Sequence, residues 1–179
     1  MSEEEPKKKK SGCMIAAIVI AVIAALTIGG CMLTGGLFVA GVSQAVQEAE
    51  EETQRQLDEL ANATEVSDLQ PSGALAELFN LMSENTDIQR DNAKAEIQGK
   101  MVQWTLPVYE VSKSGDTYRV QTSSRNNLVG TFIDLHPIYE GDSQLIEALK
   151  TDDMITVRGF VDGTLMRNIQ ISPAILIVE

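Results

Sequence analysis

Lys100 to Val111 reads KMVQWTLPVYEV, and its period of two decides the fold. Val102, Trp104, Leu106 and Val108 take alternate positions, so one face of the stretch is apolar and the other polar. The phase then slips, and Val111 is the next apolar residue. Pro107 has no amide proton to give a ladder, which predicts a bulge or bend at that residue.

The same period continues downstream. Ser114-Gly115-Asp116 is a turn, after which Tyr118, Val120 and Thr122 share one face of a second strand, with Arg119 and Gln121 on the other. Ser123 to Asn127 is a polar loop, and Leu128 to Leu135 is strand three. GDSQLIEALK, Gly141 to Lys150, predicts one short helix. Strand four runs from Met154 to Val161, with Ile155, Val157 and Val161 inward and Thr156, Arg158 and Phe160 outward. Asp162-Gly163 reads as a turn. Ile169 to Ile171 and Ala174 to Val178 form strand five around Pro173. Three strands, a helix and two strands predict a mainly β fold: a small five-stranded OB-like barrel with a short helix between strands three and four, residues 99–179. Closure also removes the edges that five apolar strands would expose. Another small barrel or an open α+β sheet are the alternatives.

Upstream, Ser11 to Gln47 is thirty-seven residues without a charge. Residues 13–42 are long enough to cross a hydrocarbon core about 30 Å thick as one transmembrane helix. Lys7 to Lys10 lie before it and the next basic residue after it is Arg55. The positive-inside rule then puts a basic tail, 1–12, in the cytoplasm and the remainder outside, as a single-pass protein of the cell envelope. A second reading keeps the same side: Ile28-Gly29-Gly30-Cys31 resembles a lipobox, which would make a lipoprotein acylated at Cys31. Ala17, Ala21, Ala25 and Gly29 form a small-residue ridge that suits helix pairing, or simply reflects the composition of such helices.

Residues 43–61 predict an acidic stalk helix with a narrow stripe at Val46, Ala49, Thr53, Leu57 and Leu60. It serves a short coiled coil or a lone helix. Residues 62–73 read as a linker, and 74–98 as short helices leading into the barrel. Ser72 could cap the first of these, while Thr86 and Gln89 form a capping-box pattern for the second, with Gly99 at its end.

Net charge is −12 over 179 residues. Between Glu48 and Glu84, ten acidic residues stand against Arg55 alone, which disfavours a nucleic-acid partner on electrostatic grounds. Both cysteines, Cys13 and Cys31, fall in the apolar stretch, so the remainder has no thiol for a disulfide or metal site.

Asn85 to Gln89, Gly99 to Trp104, Tyr118 to Val120 and Leu149 to Gly159 together resemble the tRNA-anti-like group of OB-fold domains, over about Ser83 to Ile177. Leu106-Pro107 and Thr151-Asp152 depart from that pattern. The resemblance implies the barrel, in a form often set behind a bacterial membrane anchor or lipoprotein signal. It implies no substrate.

No nucleophile–base pair, phosphate loop or metal spacing emerges, so no enzyme, cofactor or small-molecule substrate is expected. His136 reads as a loop histidine and Asp152-Asp153 as a turn. OB barrels bind through strands two and three and nearby loops. Here that region offers Arg119, Gln121, Arg125 and Asn127, with Arg158 and Phe160 on strand four, as a ligand face or an ordinary solvated one. The expected role is a non-catalytic binding or interaction module, with the lipid bilayer at 13–42 and a protein partner or homo-oligomer. A scaffold that oligomerises through anchor and stalk is the alternative, as is an extracytoplasmic binder of single-stranded nucleic acid or oligosaccharide.

Overall fold

The computed structural model describes residues 35–80 and 82–178, with side chains from residue 47 onward. The basic tail, both cysteines, the Ala17–Gly29 ridge and residues 13–34 of the membrane segment lie outside it. Among the described residues no helix is long and apolar enough to cross a membrane.

Helix α1, Gly35–Asn62, runs unbroken through the expected junction at Val42 and Ser43. Residues 51–179 form one compact unit. At the C-terminal end of α1, Leu57 and Leu60 are buried against Ile175, with Met101, Ile138, Phe160 and Ile177 around them. Those two leucines are the best core residues of the stalk stripe. The barrel takes them, so they are not available to a coiled coil.

Residues 63–73 carry no helix or strand, yet they are bound to the barrel. Ser67 N donates to Met101 O (2.8 Å), the Trp104 indole Nε1 to Leu69 O (2.7 Å), and Val129 N to Pro71 O (2.7 Å). Ser72 bridges to Leu128. It does not cap α2, Ala74–Phe79, whose N-cap is Gly73. Helix α3, Asp87–Ile97, opens on the expected box: Gln89 N donates to Thr86 Oγ1 and Thr86 N to Gln89 Oε1. Gly99 follows at φ 78°, where a side chain would be strained.

The strands are β1 (Met101–Ser114), β2 (Thr117–Thr122), β3 (Thr131–Leu135), β4 (Met154–Leu165) and β5 (Asn168–Ile177). They close into a barrel in the order β1-β2-β3-β5-β4, antiparallel except for β3 with β5. Helix α4, Asp142–Ala148, joins β3 to β4 and buries Ile146 in the core. This is the OB arrangement. Its interior holds the alternating residues read from the sequence, Val102, Trp104, Leu106, Val108, Tyr118, Val120, Ile155 and Val157 among them.

Three boundaries differ from expectation, each for a tertiary reason. The register slip falls at Tyr109, between Val108 and Glu110, not at Pro107. Pro107 pairs with Met154 at the last rung shared with β4, where β1 changes partner and a missing amide proton costs little. Residues 128–130 leave β3, because Leu128 and Val129 bond Ser72 and Pro71. Asp162-Gly163 is not a turn: β4 continues to Leu165, shifting register between Val161 and Gly163. The turn is Met166-Arg167.

Candidate ligand-binding face

The six residues proposed from sequence fall in three places, Asn127 sharing the β2–β3 loop with Arg125. Arg119 and Gln121 are neighbours on the outer face of β2, opposite Asp134 and Phe132 of β3. Arg119 makes two bonds to the Asp134 carboxylate, Nε to Oδ1 (2.9 Å) and Nη2 to Oδ2 (3.2 Å), and holds its proton more tightly for it. Arg125 lies in the β2–β3 loop with Nη1 3.3 Å from Asp152 Oδ1. Each cation of this face thus meets an acid.

Arg158 and Phe160 point outward from β4 as read, but α1 covers that side. Arg158 Nη1 donates to Leu60 O (2.8 Å) and Ala63 O (2.9 Å), while Nε and Nη2 donate to Gln103 Oε1. Phe160 packs with Leu57 and Leu60. The pair fastens the end of a helix, so the structure separates it from Arg119 and Gln121. The aromatic beside those two is Phe132, half-buried on β3. Strand parity alone could have found it, since Thr131, Ile133 and Leu135 face inward.

Beside the β2–β3 loop lies a cavity of about 310 Å³, between that loop, α2 and the β4–β5 turn. Its polar wall is Asn80, Ser124, Asn127 and Asn168, and its apolar wall includes Phe79 and Leu128. The turn above it is unusual. Met166 (φ 49°) and Arg167 (φ 65°) both adopt the left-handed conformation that asparagine and glycine normally supply in such hairpins. Asn126 and Asn127 do the same across the cavity, at 57° and 59°. Two tethers hold the turn: Arg167 Nη1 donates to Asn80 O (2.9 Å) and Asn168 Nδ2 to Met166 O (3.1 Å). Met166 stays 82% exposed at the tip.

No family model matches the chain, and no curated protein matches it either. Solved structures similar to it include a candidate nucleic acid-binding lipoprotein from Klebsiella pneumoniae, 16% identical over 51% of this chain and 81% of that one, TM-score 0.39. Another is the asparaginyl-tRNA synthetase of Pyrococcus horikoshii, 17% identical over 49% of this chain and 22% of that one, TM-score 0.35. A third is OBody AM1L10 bound to hen egg-white lysozyme, 16% identical over 47% of this chain and 85% of that one, TM-score 0.31. The fold assignment rests on strand order and not on these likenesses.

The cavity depends on one glycine. A Cβ on Gly130 would collide with the amide oxygen of Asn168, whose Nδ2 braces the turn. Gly130→Ala should therefore cost about 1–2 kcal/mol as an overpacking change. In a double-mutant cycle with Asn168→Ala, chemical denaturation should return a favourable coupling of at least about 0.5 kcal/mol. Strict additivity would show that the turn and the cavity floor are independent.

His136 sits after β3 with its N–H bonded to Ala174 O (2.8 Å). Burial lowers its pKa below that of a free histidine, against a smaller opposing pull from Asp134. Asp153 Oδ2 accepts from Lys150 N (2.8 Å), so that carboxylate fastens the turn before β4.

Proposed function

We propose that this chain is a membrane-anchored, extracytoplasmic OB-fold recognition module, held in the bilayer through residues 13–42, that binds a protein partner without catalysis. One observation carries the reading. The β4–β5 turn keeps an exposed methionine and an arginine in a backbone conformation that neither favours, directly over an amide-lined cavity. Non-glycine residues at positive φ cost of order 1 kcal/mol each and persist where the surroundings enforce them, often at sites of function. The β4–β5 loop is also one that OB barrels use for ligands. A flexible thioether above hydrogen-bonding amides suits a protein surface with mixed polarity.

A photoreactive residue at position 166 of the intact protein should crosslink a discrete partner in living cells, and one at exposed Val66 should not. Equal labelling from both positions, or none from position 166, removes the reading. Protease added to sealed cells should digest Asp87 to Glu179, and protection of that region would overturn the outside placement.

Phe132 beside Arg119 and Gln121 favours a second reading, a single-stranded nucleic-acid ligand stacked on the β2–β3 face. Fluorescence anisotropy with an oligothymidylate would then show salt-sensitive binding that falls roughly tenfold in Phe132→Ala, as loss of one stacked base predicts. Absence of binding at low salt retires it.

A further inference from the structure

Strand β1 is paired unevenly. Met101 to Pro107 pairs with β4, and Val108 to Ser114 pairs with β2. From Glu110 to Ser114, β2 runs along one edge, and among the described residues no strand runs along the other. The turn before β4 closes β1 only briefly. Val108 N donates to Asp153 O (2.8 Å), Asp152 N to Val108 O (2.8 Å), and Thr151 Oγ1 to Tyr109 O (3.1 Å). Beyond that point the α4–β4 connection and β1 line opposite sides of an open cleft of about 560 Å³. Half-buried Val111 and Leu149 and the buried Tyr118 give it an apolar lining. Its inner side is bridged from strand to helix: the Tyr118 hydroxyl of β2 donates to Glu147 Oε1 of α4 (2.6 Å), and Lys113 Nζ of β1 donates to the same oxygen (3.0 Å).

We propose that this cleft receives an extended segment of a partner polypeptide, added to β1 as a further strand along Glu110 to Ser114, with alternate apolar side chains over Val111 and Leu149. A strand edge presents amide and carbonyl groups in a row, and an extended backbone offers the matching row. Five residues at about 3.3 Å each set the length of the segment. The cleft's volume lies within the roughly 300–1,000 Å³ of built ligand sites. The cleft shares no lining residue with the cavity under the β4–β5 turn, so this is a separate surface.

The test uses the full-length protein in detergent micelles and a phage-displayed panel of random heptapeptides. Enriched peptides, synthesised and titrated, should show a strand signature. N-methylation of alternate residues should weaken binding at least tenfold, while methylation of the residues between them should change it less than twofold. Hydrogen exchange in the unmodified protein should slow at Glu110 to Ser114 when peptide is added. Leu149→Arg, which fills the cleft with a charged side chain, should abolish binding. Failure to enrich any peptide, indifference to N-methylation, or exchange protection at the β4–β5 turn in place of β1 would each overturn the proposal. Concentration-dependent dimers of the full-length protein, with exchange protection at Glu110 to Ser114 in the absence of peptide, would assign the edge to a second copy and overturn the proposal.

Discussion

Gly159→Ala should be the most damaging single methyl group in this protein, costing roughly 3 kcal/mol or more as severe overpacking. A Cβ at that position would stand 2.5 Å from Ile171 Cγ2, 2.8 Å from the Ala174 Cβ and 2.8 Å from the Pro173 carbonyl oxygen. An isoleucine methyl can rotate away; a carbonyl oxygen within β5 cannot. Gly159 pairs with Ala174 at the seam between β4 and β5, where the two strands approach closely with the register shifting just beyond. The strain therefore falls on a seam that closes the barrel. Urea unfolding followed by the buried Trp104 should show the midpoint falling sharply, because the indole reports on the same interior. Ala174→Gly should recover only part of the loss, since the Pro173 oxygen remains in place. A stability within about 1 kcal/mol of the parent, the lower limit for overpacking, would mean that β4 and β5 can separate more freely than the register implies.

Arg158→Ala is expected to cost about 2–3 kcal/mol, the upper range for hydrogen bonds made by a charged donor. It removes two bonds to the carbonyls that end α1 and two to Gln103, and leaves those acceptors against a half-covered surface. The loss should be local as well as global. Hydrogen exchange should accelerate over residues 55 to 63, where Leu57 and Leu60 would lose their clamp. Arg158→Lys should rescue less than half, because an ammonium cannot reproduce a planar fork that reaches two carbonyls and an amide oxygen together. Unchanged exchange across the end of α1 would show that the leucines alone hold the helix.

How far these features could be read in advance depended on whether the deciding contact was local. The inward faces of the strands were legible, because Val102, Trp104, Leu106 and Val108 alternate with no outside help. The capping box at Thr86 was legible for the same reason: donor and acceptor lie three residues apart. Arg158 shows the limit. Its outward direction followed from parity, but its backbone acceptors at Leu60 and Ala63 lie more than ninety positions earlier in the chain, with no local signal. Asp162-Gly163 looked like a turn because its chemistry is right for one; pairing with β5 carries β4 past it. Met166-Arg167 carries no turn chemistry at all, and its conformation comes from tethers to Asn80 and Asn168. On the outer β2–β3 face, parity places Arg119, Gln121 and Phe132 alike, whereas the covering of Phe160 depends on the course of α1, which no local pattern gives.

The clamp at the end of α1 also decides where mechanical load would go. Tension drawn along that helix would reach the guanidinium of Arg158 and the leucine contacts before it could straighten the irregular stretch that follows. From there it enters β4, a central stave bonded on both sides, so the pull is spread as shear over many rungs and does not peel one strand from an end. The last turns of α1 thus share the load with the barrel wall and not with the irregular stretch.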